Sequence, residues 1–534
     1  MQEPKKNQAS EKSSVMVYAA IMAFGTMTSR VLGLAREILF AAYFNRTITD
    51  AWTAAFRIPN LFRRILGEGS LSVSFIPVFI DAVESNEKDT RAHNLVNSFY
   101  TLLLIILAVV TTLGIWKIES VLEFLLDPTY RQIPGKFELT VRFGRIMFGF
   151  VFLISTYAYF MAILNALGKY AMAAMAPTLF NVAMIVSTIM PQSFFPITGD
   201  GLAWGVLAGG FLQMGILIPS LMKLGYLPKP SSKMWNADVK RVLKSMAGGL
   251  IGLSLMQLTT LVNMRFASEL GEGSISYIYW ADRLLELPLS LVAVSLGAAL
   301  LPTLSAMWSR GEKTQMSETA HFYLRLNLFV AIPCAIGLYM LAHPIVELLF
   351  QRGKFSAEDA MFTAQVVEVY ALVLIPVSGA RVLAPAYYAV KNTWFPAVVA
   401  GFALIVHILI APWLMKFYGL RGLNFSSFVS GSINFLLLLG CFSGLVNFFN
   451  WKLFGLNLLK FLVPAAAMAV SLSTYSVWRS MMGDHFLAKI ASLGLSIALS
   501  GIIYFVVAHL MKLEESDATV KRIFNKVLKR SKAV

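Results

Sequence analysis

Arginines and carboxylates interrupt two stretches that are otherwise apolar enough to lie in a bilayer. The first reads Ser29-Arg30-Val31-Leu32-Gly33-Leu34-Ala35-Arg36-Glu37, then Asp50-Ala51-Trp52, then Phe56-Arg57-Ile58-Pro59-Asn60-Leu61-Phe62-Arg63-Arg64, then Gly67-Glu68-Gly69. The second contains Ala281-Asp282-Arg283-Leu284-Leu285-Glu286-Leu287-Pro288. A charge at bilayer depth costs roughly 2.5–3.5 kcal/mol on insertion scales. Several in one helix pair imply a water-filled cavity rather than lipid contact. A guanidinium stays charged and presents a planar fork of donors matched to phosphate oxygens. Such groups around one cavity suit a pyrophosphate, with nearby carboxylates holding them in place while the site is empty. Residues seven apart lie about 20° apart around a helix. Arg30 and Glu37 therefore share a face, as do Arg57 and Arg64, and Ser276 and Arg283, with Glu286 beside Arg283 at i+3. Arg36 and Arg63 point to other faces.

The elements that must position these residues are membrane spans. Of the 534 residues 57% are hydrophobic and 14% charged, well short of the charged quarter of a soluble domain. With about 20 apolar residues per crossing, the chain divides into fourteen spans, near 16–44, 51–80, 95–116, 141–164, 171–190, 201–222, 243–268, 275–306, 322–342, 361–388, 395–415, 425–446, 456–478 and 487–511. The fold class is thus an all-α polytopic membrane protein. Residues 1–15 are polar and carry Lys5, Lys6 and Lys12; no removable signal peptide is expected. Loop charges place both termini on the cytoplasmic side, because the loops on that side hold most of the Lys and Arg. The net charge of +16 has the same origin and does not point to nucleic acid.

The basic segment 223–242 separates six spans from eight. Phe56-Arg57 followed by Pro77 resembles Asp282-Arg283 followed by Pro302, so spans 2 and 8 read as equivalents in two successive bundles. The expected organisation is a cytoplasmic segment 1–15, a first lobe 16–222, the linker 223–242, a second lobe 243–446, two further helices at 447–511 and a basic tail 512–534. Two pseudo-symmetric six-helix lobes then face each other across a central cationic cavity. Other polar residues have plainer expectations. Arg142 and Arg145 lie at an interface, Arg265 pairs with Glu269, Arg325 reaches toward headgroups, and Arg381 is a secondary candidate for the cavity. His407 reads as a satisfied interior group, and Cys334 and Cys441 as small buried hydrophobes. No phosphate loop, His-Glu-x-x-His or Gly-x-Ser-x-Gly motif is present. No enzyme chemistry, built-in ATP motor, cofactor or metal site is expected.

At these residues the sequence resembles the MurJ (MviN) family of lipid II flippases, within the multidrug/oligosaccharidyl-lipid/polysaccharide exporter superfamily. The run Ser29 to Glu37, the stretch Asp50 to Glu68 and Ala281-Asp282-Arg283-Leu284-Leu285-Glu286 carry the resemblance. So do Leu164-Asn165-Ala166-Leu167-Gly168-Lys169, Ala176-Pro177-Thr178 with Asn181, Leu202-Ala203-Trp204-Gly205-Val206, and Phe350-Gln351-Arg352-Gly353-Lys354-Phe355. The likeness runs from about residue 16 to 400, the last spans agreeing in number and hydrophobicity. It implies fourteen helices, a cationic lumen, inward-open and outward-open states, and a groove for a polyprenyl tail on the last two helices. It implies a multi-pass protein of the bacterial cytoplasmic (inner) membrane, serving peptidoglycan synthesis and cell shape. The implied cargo is lipid II, an undecaprenyl-pyrophosphate-linked disaccharide peptide; the implied neighbours are membrane lipids and the cell-wall synthesis machinery. The substrate-binding residues carried over are Arg30, Arg36, Glu37, Asp50, Arg63, Ser276, Arg283 and Glu286. Arg57 joins them, standing where the family accepts Lys or Arg. Glu37 departs from the usual Asp, keeping the charge with a longer reach. Three other readings remain open at this level: an exporter of another amphiphilic or lipid-linked cargo, a membrane-embedded polyprenyl-phosphate enzyme, and a non-transporting scaffold.

Overall fold

A computed structural model describes residues 25–65, 71–85, 88–290, 293, 295–446 and 451–517. The N-terminal basic segment, the first part of span 1, Gly67-Glu68-Gly69 and the tail beyond Asp517 lie outside the described residues. What is described is helical or loop, without strands. Among these residues nine helical stretches are long and apolar enough to cross a membrane, one of them, Trp394–Phe442, covering two expected spans. Helices also stand where the sequence places spans 1, 2, 7 and 8.

The chain packs as two units, Met1–Ser276 with Arg352–Phe355, and Tyr277–Gln351 with Ser356–Val534. In the first unit α1 (25–43) is followed by α2 (Arg46–Phe62), α3 (Leu71–Glu84), α4 (Lys88–Leu125), α5 (Lys136–Met147), α6 (Gly149–Ala166), α7 (Tyr170–Ile189), α8 (Asp200–Gly215), α9 (Ile218–Lys223) and α10 (Ala237–Glu269). Span 2 loses regular α-helical geometry shortly after Pro59. Pro59 supplies no N–H to the helix ladder, and residues 63–65 widen into a π-helical turn, the kind of irregularity that collects at functional sites. Span 8 breaks in the same way after Pro288, with Ser290 in a π turn.

Helices in lipid gain little from burying apolar area against one another, so close backbone approach and hydrogen bonds decide their packing. Gly205 and Gly209, one turn apart on α8, meet α7 in this way. A Cβ at Gly205 would stand 2.1 Å from Ser187 Oγ, and one at Gly209 would stand 2.7 Å from the Phe180 ring. Around α3, α4 and α6 the rings of Phe75, Phe79, Phe99 and Tyr159 form a contiguous aromatic core.

Packing groups α10 with the helices that precede it, in the unit that ends at Ser276. The reason is that the basic segment is bound along α4. Asn97 Oδ1 accepts from Lys229 N (2.7 Å), Thr101 Oγ1 from Ser231 N (2.8 Å), and Ser98 Oγ donates to Lys233 O (2.5 Å). His93 meets Gly225 O at 3.0 Å and stacks on Tyr226. Arg91 then grips Asp238 at the start of α10 with bonds of 2.9 and 2.6 Å. That guanidinium holds the Asp238 carboxyl below the usual carboxylate range. The α10 helix therefore joins the first unit.

The second unit contains most of α11 (Ser274–Leu289), then α12 (Ser295–Ser309), α13 (Lys313–Met340), α14 (Ala342–Phe350), α15 (Ala357–Ala389), α16 (Trp394–Val446), α17 (Trp451–Ser473), α18 (Tyr475–Met482) and α19 (Phe486–Leu510). The α16 range holds spans 11 and 12, turned at Gly419 with φ +55° and ψ −130°. Only glycine enters that conformation at little cost. His407 is buried and meets Ser426 Oγ at 3.0 Å across this turn, a satisfied interior group. Two expectations change here. Arg325 does not reach for headgroups: it pairs with Glu514 at 3.1 Å and with buried Glu515, tying the residues just after α19 to α13. Cys334 is only half-buried and Cys441 is exposed.

Candidate substrate site

The first group of candidate residues sits on α1. Arg36 Nη2 pairs with Glu37 Oε1, and Arg36 Nη1 donates to Asn181 Oδ1 on α7 at 2.9 Å. The Phe180 ring centroid lies 5.8 Å from the guanidinium. The Arg36 side chain keeps 14% of its surface exposed and Glu37 only 3%. A carboxylate next in sequence thus neutralises a guanidinium that would be costly to hold alone. Arg30, one face-repeat earlier, is exposed while Glu37 is buried, so the shared face inferred from spacing does not make them partners. On α2 and its π turn, Arg57, Arg63 and Arg64 are all half-buried. Arg63 Nε donates to Asn60 Oδ1 one turn earlier at 2.8 Å.

Asp50 and Ser276 form a different kind of site. Both are fully buried. The Asp50 carboxylate accepts from Lys136 Nζ (2.8 Å), Gly273 N (2.7 Å), Ser276 N (2.9 Å) and Ser276 Oγ (2.7 Å). It therefore caps the N-terminus of α11 from another helix, where a negative charge is favoured. Gly273 enters the helix at φ +91°, which a side chain would oppose. Lys136 Nζ also lies 4.3 Å from the Tyr130 ring centre, and the Tyr130 hydroxyl meets Thr140 Oγ1 at 3.0 Å. With four donors around it, the Asp50 carboxylate ties Lys136 to the start of α11.

In the second unit Arg283 Nη1 donates to Glu286 Oε2 at 2.9 Å, and its guanidinium stands 4.8 Å from the Tyr279 ring centre. Arg283 is 28% exposed and Glu286 48%. The helix bearing them is fixed by Tyr277, whose hydroxyl donates to Asp359 Oδ1 at 2.7 Å. Asp359 in turn closes a capping box with Ser356 at the start of α15. Arg381 is exposed.

Among the other charged residues, Arg142 grips buried Asp200 with two bonds of 2.7 Å, and Arg145 pairs with Glu119. Arg265 does not pair with Glu269. It donates to the Phe124 and Leu126 carbonyls at 3.3 and 2.5 Å and lies 3.5 Å from Asp127, closing the C-terminal end of α4. Helix ends leave carbonyls without partners, and a cation there is favoured on both counts. Sequence reasoning passed over Lys136, an apparent loop residue. It noted Asn181 only as part of a motif, although a lone amide in an apolar span is itself a signal. Among the described residues no cluster of metal-ligating side chains occurs.

The family model for lipid II flippase MurJ matches residues 40–491. A relative described as "Probable lipid II flippase MurJ" from Bdellovibrio bacteriovorus is 49% identical over 505 residues, covering 95% of this chain and 96% of the relative. "Lipid II flippase MurJ" from Burkholderia cenocepacia is 35% identical over 419 residues, 77% of this chain and 81% of the relative. A solved structure of a lipid II flippase MurJ in an inward closed conformation superposes with a TM-score of 0.74 at 24% identity, over 91% of this chain and 99% of that one. An inward-facing multidrug transporter of the MATE family shares the fold at a TM-score of 0.64 and 16% identity, over 80% of this chain and 98% of that one. The family match thus reaches residue 491, past the limit near 400 read from the sequence motifs.

Proposed function

Since the chain belongs to the MurJ lipid II flippase family, a family of transporters rather than enzymes, we propose that it moves lipid II from the inner to the outer leaflet of the bacterial cytoplasmic membrane by alternating access. Both termini then face the cytoplasm, in keeping with the Lys and Arg bias of the inner loops. The cargo headgroup enters laterally while its polyprenyl tail stays in lipid. Arg30, Arg36, Arg57, Arg63 and Arg283 bind the pyrophosphate, with Glu37 and Glu286 holding arginines in place until it arrives.

The observation that carries this reading is a repeated device. Arg36 with Glu37, and Arg283 with Glu286, are guanidinium–carboxylate couples set in predominantly apolar spans. Such a couple is stable in the empty state and exchanges its carboxylate for phosphate oxygens, a ligand the guanidinium fork matches equally well. The half-exposed Glu286 is the easier of the two carboxylates to displace. Direction comes from a difference in cargo affinity between the two states, since a ligand bound equally in both would move nothing. A multidrug-type cargo is the competing reading, supported by the fold shared with MATE transporters.

The test places the gene in a bacterium whose own lipid II flippase can be depleted and measures lipid II headgroup accessible outside the inner membrane. The wild type is expected to restore exposure. Arg283→Ala is expected to lower it about tenfold or more, the loss of a charged hydrogen bond of about 1.5–3 kcal/mol. A wild type that reaches the membrane and exposes no lipid II would overturn the flippase reading in favour of another cargo. Full activity of Arg283→Ala would remove Arg283 from the site.

A further inference from the structure

We infer that Asn181 is a positioning residue for Arg36, its amide fixing the edge of the guanidinium that an incoming pyrophosphate meets. The inference rests on the reading of Arg36 as a phosphate-binding group. Asn181 lies on α7 with apolar neighbours on both sides, Leu179 and Phe180 before it and Val182 and Ala183 after it, and only 5% of its surface is exposed. Its Oδ1 accepts from Arg36 Nη1 at 2.9 Å, while its Nδ2 donates to the Ser29 main-chain oxygen at 2.9 Å and to Ser29 Oγ at 3.2 Å.

The orientation of this amide is dictated by its partners. A guanidinium only donates and a main-chain carbonyl only accepts. Turning the amide over would set donor against donor at Arg36 and acceptor against acceptor at Ser29. One buried side chain therefore reads two places on α1, two turns apart, and locks them to α7. The two terminal nitrogens of Arg36 are held by different groups, Nη1 by Asn181 and Nη2 by Glu37. With the side chain mostly covered, the direction of its accessible edge decides what a ligand can reach. The α7 helix is itself seated through Phe180 and Ser187 against Gly209 and Gly205 of α8. Close α7–α8 packing is thereby transmitted to the guanidinium.

The experiment uses the full-length protein in lipid nanodiscs with a polyprenyl pyrophosphate as probe. Binding is measured for the wild type, Arg36→Ala, Asn181→Leu and the double variant, with thermal midpoints recorded alongside. Asn181→Leu is expected to bind about tenfold more weakly, the loss of one hydrogen bond to a charged group. The double variant is expected to match Arg36→Ala alone, because a residue acting through another has nothing left to contribute. If Arg36→Ala binds as the wild type does, the reading of Arg36 fails and takes this inference with it. If Arg36→Ala binds weakly while Asn181→Leu binds normally, or if the two losses add, the inference is overturned and the Arg36 reading stands. Asn181→Ala adds no bulk and is read by the same criteria should the leucine variant not fold.

Discussion

Asp50→Leu is expected to destabilise the first unit by about 3–5 kcal/mol, the range for breaking a buried ion pair from one side. Asp50 and Lys136 are both fully buried and meet at 2.8 Å. Removing the carboxylate leaves the Lys136 ammonium with the Tyr130 ring as its remaining attraction. It also strips the Gly273 and Ser276 amides of their acceptor. Lys136→Met is the milder change, because Asp50 then keeps three donors and the N-terminus of α11. The predicted order of thermal midpoints in detergent is wild type, then Lys136→Met, then Asp50→Leu. The double variant should lie above Asp50→Leu, since it buries no uncompensated charge. Equal midpoints for Asp50→Leu and wild type would mean that this network does not hold the unit together.

Gly353→Ala should detach the segment Arg352–Phe355 from the end of α1. Gly353 has φ +60°, and a Cβ there would stand 2.2 Å from the Ala42 main-chain oxygen. That same oxygen accepts from Lys354 N at 2.7 Å. The substitution therefore meets two penalties. The left-handed backbone costs roughly 1–2 kcal/mol for a residue with a side chain. The collision is with backbone rather than with a movable side chain, so overpacking adds about 1–3 kcal/mol. Together these exceed what one hydrogen bond returns, and the contact should break. Hydrogen exchange at the Lys354 amide is the readout, with protection falling about tenfold or more. Unchanged protection would show that the segment has another way to rest on α1.

The broken spans could be anticipated because their causes are written locally. Pro59 and Pro288 remove donors, and charged residues beside them advertise a polar lining. Neighbours on one helix were legible for the same reason, as Arg283 and Glu286 show. What could not be anticipated depends on partners far along the chain. Lys136 follows Pro134-Gly135 in what reads as an outer loop, and nothing in its neighbourhood points to Asp50, 86 residues away. Arg325 finds Glu514 at a separation of 189 residues. Arg265 passes over Glu269, a neighbour on its own helix, for carbonyls at the end of α4, because unpaired helix-end carbonyls carry no sequence signature. The docking of the basic segment was hidden for a related cause. A run rich in lysine, proline and serine looks like a tether, yet its main chain offers the donors and acceptors that Asn97, Ser98 and Thr101 require.

That docked basic stretch implies that the gene can be divided. A fragment ending at Ser231 keeps the bonds of Asn97 to Lys229 and of Thr101 to Ser231. A fragment beginning at Ser232 keeps Lys233 and Asp238, the groups that Ser98 and Arg91 bind. Neither piece has lost what recognises the other, and on the proposed topology the break falls on the cytoplasmic side, where each piece can insert independently. Co-expressed from separate genes, the two fragments should purify together and support growth when the host flippase is depleted. A cut inside α10 should not, for there the continuity of one helix is all that carries the chain across the bilayer.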